Sequence, residues 1–137
     1  MAKLFVILAV ICCFQISNLL SQDSSLSVKR DLINTPIIDI VPSVLEIEND
    51  TSKFVVENVT VLNRGIGVLH ITSITGSCYC SNGVIEKNDV QFLDTGKLRL
   101  EINKKGLKNE ENMVIYTVTS NAKNSPFYIK VKFVEKK

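Results

Sequence analysis

Phe127-Tyr128-Ile129-Lys130-Val131-Lys132-Phe133 alternates apolar and polar side chains near the end of a 137-residue chain. Successive side chains of an extended strand point to opposite faces, whereas a helix would scatter both sets around its axis. Phe127, Ile129, Val131 and Phe133 therefore form an apolar face, and Tyr128, Lys130 and Lys132 a wet one. Leu98, Leu100 and Ile102 repeat the pattern, as do Val114, Tyr116 and Val118. Val59 with Val61, and Leu69 with Ile71, extend it towards the start of the chain. All these residues are expected to meet in one interior.

Turn residues divide the rest at intervals of about ten, as in all-β domains. Strands are expected over 37–41, 44–47, 54–62, 68–74, 90–93, 98–102, 113–120 and 127–134, with Pro42 marking an edge strand or a bend. Asn63-Arg64-Gly65 and Asp94-Thr95-Gly96 read as tight turns. About seven to nine strands with half-polar faces predict an immunoglobulin-like antiparallel β-sandwich, two sheets packed face to face. Without tryptophan or a distant cysteine pair, the antibody-type core staple is missing.

The first stretch has another texture. Lys3 precedes an unbroken apolar run over 4–14, and Gln15, Ser17, Asn18, Ser21 and Gln22 restore polarity. A basic start, a short apolar segment and a polar exit make a signal peptide over 1–21, cut between Ser21 and Gln22. A membrane-spanning helix needs roughly 18 apolar residues, so membrane contact is expected only if the leader stays uncleaved. Cys12-Cys13 follows Ile11, not the small residue that lipid attachment prefers. Residues 22–34, polar and serine-rich, read as a flexible arm that includes the dibasic Lys29-Arg30, and 35–137 as the sandwich domain. Export places the mature chain in the periplasm or outside the cell.

Loss of Lys3 takes the formal charge from +2 to about +1, with both signs interleaved. That is no footprint for nucleic acid. The expected partner is another envelope or extracellular protein.

Of the four cysteines, Cys78 and Cys80 outlast the leader, in a compartment that permits disulfides. On an extended strand they point to one side, with α-carbons near the roughly 6.8 Å limit for a bridge. A bend near Gly76 or Asn82-Gly83 would close that gap. A ring so small removes little unfolded-state entropy, so stabilisation explains it poorly. Three readings stay open: an inert bridge or pair of semi-buried thiols, an easily reduced redox pair, and a two-thiolate site for a soft ion such as copper(I). The first leads, and no cofactor is expected. His70, the sole histidine, falls on the face opposite Leu69 and Ile71, as an exposed strand residue rather than a ligand. It has no flanking nucleophile, and Glu101, Glu110 and Glu111 read as solvating the loop around Gly106, so the chain is read as not an enzyme.

Val59-Thr60-Val61-Leu62-Asn63-Arg64-Gly65, Leu69-His70-Ile71 and Ser77-Cys78-Tyr79-Cys80-Ser81 together carry a resemblance. In that order they resemble the Hydin-type, major-sperm-protein-like immunoglobulin domains, above all an exported bacterial family of unknown function with a Ser-Cys-Gly-Cys-Thr motif. Pro42 with Leu45, Thr95-Gly96-Lys97 and Ser120-Asn121 extend the similarity over 37–134. Tyr79 stands where that family has glycine, Ile47-Glu48 where it has Phe-Gly, and Thr95-Gly96 where it has Pro-Gly. The resemblance implies a sandwich, export and no established activity. Its bacterial setting sets aside the sequons Asn49-Asp50-Thr51 and Asn58-Val59-Thr60.

Overall fold

The structure, a computed structural model, describes residues 34–107 and 112–135. The predicted leader and all but the last residue of the predicted arm lie outside the described residues, as do Glu110 and Glu111.

Among the described residues of the unit Thr35–Lys137, nine strands form. They are β1 (Ile38–Val41), β2 (Val44–Glu48), β3 (Phe54–Asn63), β4 (Leu69–Gly76), β5 (Ser81–Ile85), β6 (Asp89–Val90), β7 (Thr95–Asn103), β8 (Met113–Ser120) and β9 (Phe127–Val134). A four-stranded sheet has the order β1-β3-β7-β5 and a five-stranded sheet β2-β9-β8-β4-β6. The all-β sandwich read from the sequence is what the chain forms. Every pairing is antiparallel except β2 with β9, which is parallel.

Pro42 lies at the bend where the chain leaves one sheet for the other, so β1 and β2 become edge strands of different sheets. The outer edge of β1 is covered by one side chain: Asn124 Oδ1 accepts Ile38 N–H at 3.0 Å, and Asn124 Nδ2 donates to Ile38 O at 2.8 Å.

The predicted apolar faces meet between the sheets. Val59, Leu98, Leu100 and Ile102 come from one side, and Leu69, Ile71, Val114, Tyr116, Val118, Ile129 and Val131 from the other, each at most 1% exposed. Burying each such aliphatic side chain is worth about 1.5–3 kcal/mol. Ile38, Ile40 and Val90 add to this core, while Phe127 is only partly buried at its margin.

In β4 the inward residues are Leu69 and Ile71, and then Ile74, because a bulge between Ile71 and Ser73 inserts an extra residue. Thr72 Oγ1 donates to Thr119 O at 3.0 Å beside it. Two local expectations are corrected. The strand expected over 90–93 ends at Val90, because Leu93 takes a left-handed φ of 60° and Asp94 N–H closes a turn onto Gln91 O. β5 lies where Asn82-Gly83 had suggested only a bend. A Cβ on Gly83 would sit 2.6 Å from the Ile74 side chain, so this glycine lets β5 approach β4.

Candidate functional site

Cys78 and Cys80 lie in the turn from β4 to β5, where the chain crosses from one sheet to the other. They are disulfide-bonded, and their α-carbons stand 5.1 Å apart, closer than an extended strand allows. The bend is local. Ser81 N–H donates to Cys78 O at 3.1 Å and the Ser81 hydroxyl to the same oxygen at 2.8 Å.

Both sheets clamp this corner. Ser77 N–H donates to Ile115 O at 2.9 Å, and Ser77 Oγ accepts Ile115 N–H at 3.1 Å. On the other side, Asn103 N–H donates to Cys80 O at 2.7 Å. A Cβ on Gly76 would come within 1.8 Å of Ser81 Oγ, so only glycine fits beneath the turn. Below it lies buried Tyr116, reaching from β8 across the interior so that its hydroxyl donates to Glu101 O on β7 at 2.8 Å. Burial first, then the Glu101 charge, pushes this phenol well above its ordinary value, so it remains a neutral donor.

Between its two half-buried neighbours, Tyr79 is fully exposed. A cavity of about 190 Å³ beside Cys80 is lined by Phe54, Asn82, Glu101, Ile102 and Asn103. Phe54 and Val56 are exposed on the outer face of the first sheet, in register with Asn103 and Glu101. Glu101 is not a loop-solvating residue as expected from the sequence. It lies in β7, where it accepts Asn82 Nδ2 at 3.1 Å and pairs with Arg99 at 3.0 Å.

His70 is exposed on β4, on the face expected. The fold gives it a partner that local sequence did not: Asp89 on β6 meets its Nδ1. Asn121 Oδ1 accepts the His70 N–H at 2.7 Å. Among the described residues, no hydroxyl or thiol bonds the other ring nitrogen, and no three His, Cys, Asp or Glu side chains converge as a metal-ligand set. Nor is any described helix long and apolar enough to cross a membrane.

Asn63, read as a turn residue, proves to be a buried anchor. Its Nδ2 donates to Gly67 O at 2.7 Å and Val90 O at 3.0 Å, and its Oδ1 accepts Gly65 N–H at 3.1 Å.

A family model described as a protein of unknown function, DUF1573, matches residues 44–134. The chain belongs to the DUF1573 family. The match runs from the first residue of β2 to the last of β9, and so takes in the whole cysteine corner. Among solved structures, this DUF1573 chain is similar to a protein of unknown function from Porphyromonas gingivalis W83, with a TM-score of 0.65 and 18% identity. The alignment covers 74% of this chain and 48% of that one, so the chain spans about half the length of that protein. At this identity the likeness concerns the fold. VesC, a secreted serine protease from Vibrio cholerae, aligns at a TM-score of 0.49 with 10% identity, over 66% of this chain and 21% of its own. No curated protein matches the chain.

Proposed function

We propose that this DUF1573 protein is an exported, non-catalytic interaction module that grips another envelope or extracellular protein through its cysteine corner. The observation that carries this reading is Tyr79, a fully exposed aromatic on a turn held by both sheets. A rigid aromatic loses little entropy when bound, which is why tyrosine is enriched among residues that dominate interfaces. Export rests on the leader pattern over 1–21. The non-catalytic reading rests on the sequence, in which His70 has no flanking Ser or Asp arrangement suggestive of an activated nucleophile. The likeness to Hydin-type, major-sperm-protein-like domains, and to the branch with the Ser-Cys-Gly-Cys-Thr motif, belongs to the same proposal.

A photo-crosslinking residue at position 79, installed in the native envelope, tests it. One dominant protein adduct is expected, which a crosslinker at exposed Lys123 does not give. Equal labelling from both positions would remove the proposed surface.

One observation favours a second reading, a thiol redox or copper-handling protein. Cys78 and Cys80 form a bridge at a half-exposed turn, where an attacking thiolate has access. Thiol counting across glutathione buffers, with copper analysis, decides it. A bridge that never opens in reducing buffer, together with copper-free protein after reduction and copper loading, eliminates this reading.

A further inference from the structure

The switch of sheets at Pro42 leaves half of β3 with one neighbour. β1 pairs with β3 only from Thr60 to Asn63, whereas β7 pairs with it from Phe54 to Leu62. Lys104 N–H bonds Lys53 O, and Asn63 N–H bonds Asp94 O, both on the β7 side, while Arg64 N–H bonds Ile37 O on the β1 side. Main-chain groups of a strand in an antiparallel sheet alternate sides. Those of Phe54, Val56 and Asn58 therefore point away from β7, and no described residue bonds them.

The side chains along this edge give it a character. Phe54 and Val56, at 65% and 56% exposure, offer apolar surface on the outer face. Glu57 stands on the inward row, between buried Val55 and Val59 and opposite Leu100. It is half-buried and in no ion pair among the described residues.

We propose that this open half of β3 is a docking edge for an extended segment of a partner protein, which adds antiparallel along residues 54–58 and sets a lysine or arginine against Glu57. The N–H and C=O groups of Phe54, Val56 and Asn58 supply the ladder, as in other strand-addition complexes. Across the edge from Glu57, an added residue occupies a non-hydrogen-bonded pair with α-carbons about 4.5 Å apart, where opposite charges attract. A second copy of this chain would bring a cation, Lys53, to Glu57 only in the register centred on Val55, and there Asn58 would meet Ser52, whose N–H is already given to Asp50 Oδ1 at 3.1 Å. Pairing centred on Glu57 would oppose two carboxylates, and pairing centred on Val56 would set Glu57 against Val55. An inward charge also discourages unselective edge pairing, so the feature that guards the edge selects its occupant. This inference rests on the interaction-module reading and names the class of partner.

The test uses the mature protein and two capped pentapeptides, Thr-Lys-Val-Val-Tyr and the same sequence with Glu for Lys. Amide exchange by NMR should slow at Phe54, Val56 and Asn58 with the first peptide, and the second should bind about tenfold more weakly. Glu57→Lys should reverse that preference, and if this variant does not fold, the wild-type comparison alone decides. Equal binding of the two peptides, or no protection at those amides with millimolar peptide, overturns the proposal. Loss of the edge with a position-79 adduct intact leaves the module standing, whereas edge binding without the adduct removes only the cysteine-corner surface.

Discussion

Replacing Tyr116 by phenylalanine deletes one oxygen from the interior and leaves the ring in place, so no cavity term arises. The hydroxyl bonds Glu101 O across the two sheets. That carbonyl keeps a strand partner, because Asn103 N–H bonds Cys80 O and Glu101, two residues earlier and in register with Asn82, faces β5 as well. The loss is then one buried hydrogen bond, about 1 kcal/mol net, or about 4–8 °C in the melting temperature of a domain this size. Alkali should reverse the order of the two proteins. In the unfolded chain the phenol ionises near pH 10, while in the folded chain burial keeps it protonated. Folded protein then binds more protons, so wild-type stability falls as pH rises above about 10, by up to about 1.4 kcal/mol per pH unit. The phenylalanine variant lacks that slope and should overtake the wild type at high pH. Urea unfolding of both proteins from pH 7 to 11 measures this, and parallel curves, or a difference below about 0.3 kcal/mol at pH 7, would refute the cross-sheet bond.

Asn63→Ala should cost about 2–4 kcal/mol in urea unfolding, since it strands the carbonyls of Gly67 and Val90 and the N–H of Gly65 around a buried site. Leu93→Gly should stabilise by about 0.5–1 kcal/mol, because it relieves a left-handed backbone whose side chain is mostly exposed; a loss instead would show that Leu93 packs. The Lys104 hydrogen bond, followed by those from Ser52, holds the Asp50 carboxyl well below the usual carboxylate range. A depressed carboxylate contributes above its unfolded value and loses that contribution as pH falls, so Asp50→Asn should flatten the stability curve below about pH 4. An unchanged acid limb would count against the Asp50–Lys104 pair.

The long strands were legible because their alternation is decided by the chain itself. Leu98, Leu100 and Ile102 on β7, and Ile129 and Val131 on β9, face the interior as period two requires. What escaped reading depends on neighbours distant in sequence. β5 contains Asn82-Gly83, a turn signal by composition, and becomes a strand because β7 pairs with it and Ile74 packs where a Cβ would be. The run Val90-Gln91-Phe92-Leu93 is apolar enough for a strand, but Asn63 O takes the Leu93 N–H and the chain turns. At the cysteine corner the sequence supplied the residue types and the need for a bend. The clamping by Ile115 and Asn103, the projection of Tyr79 and the meeting of His70 with Asp89 are products of topology. Glu57 sets two sequence signals against each other: its polarity argues for the outer face, whereas the period of two from Val59 and Val61 puts it inward, where the register opposite Leu100 places it.

β2 and β9 run side by side in the same direction, in register from Val44–Lys130 to Glu48–Val134. Ser43 O at one end and Val134 O at the other accept bonds of 2.9 and 2.8 Å from Lys130 and Asn49. Tension applied between the two ends of the domain would slide these strands lengthwise past each other and load their rungs together. Peeling would break them singly. A tethered copy of this domain would carry mechanical load across that seam.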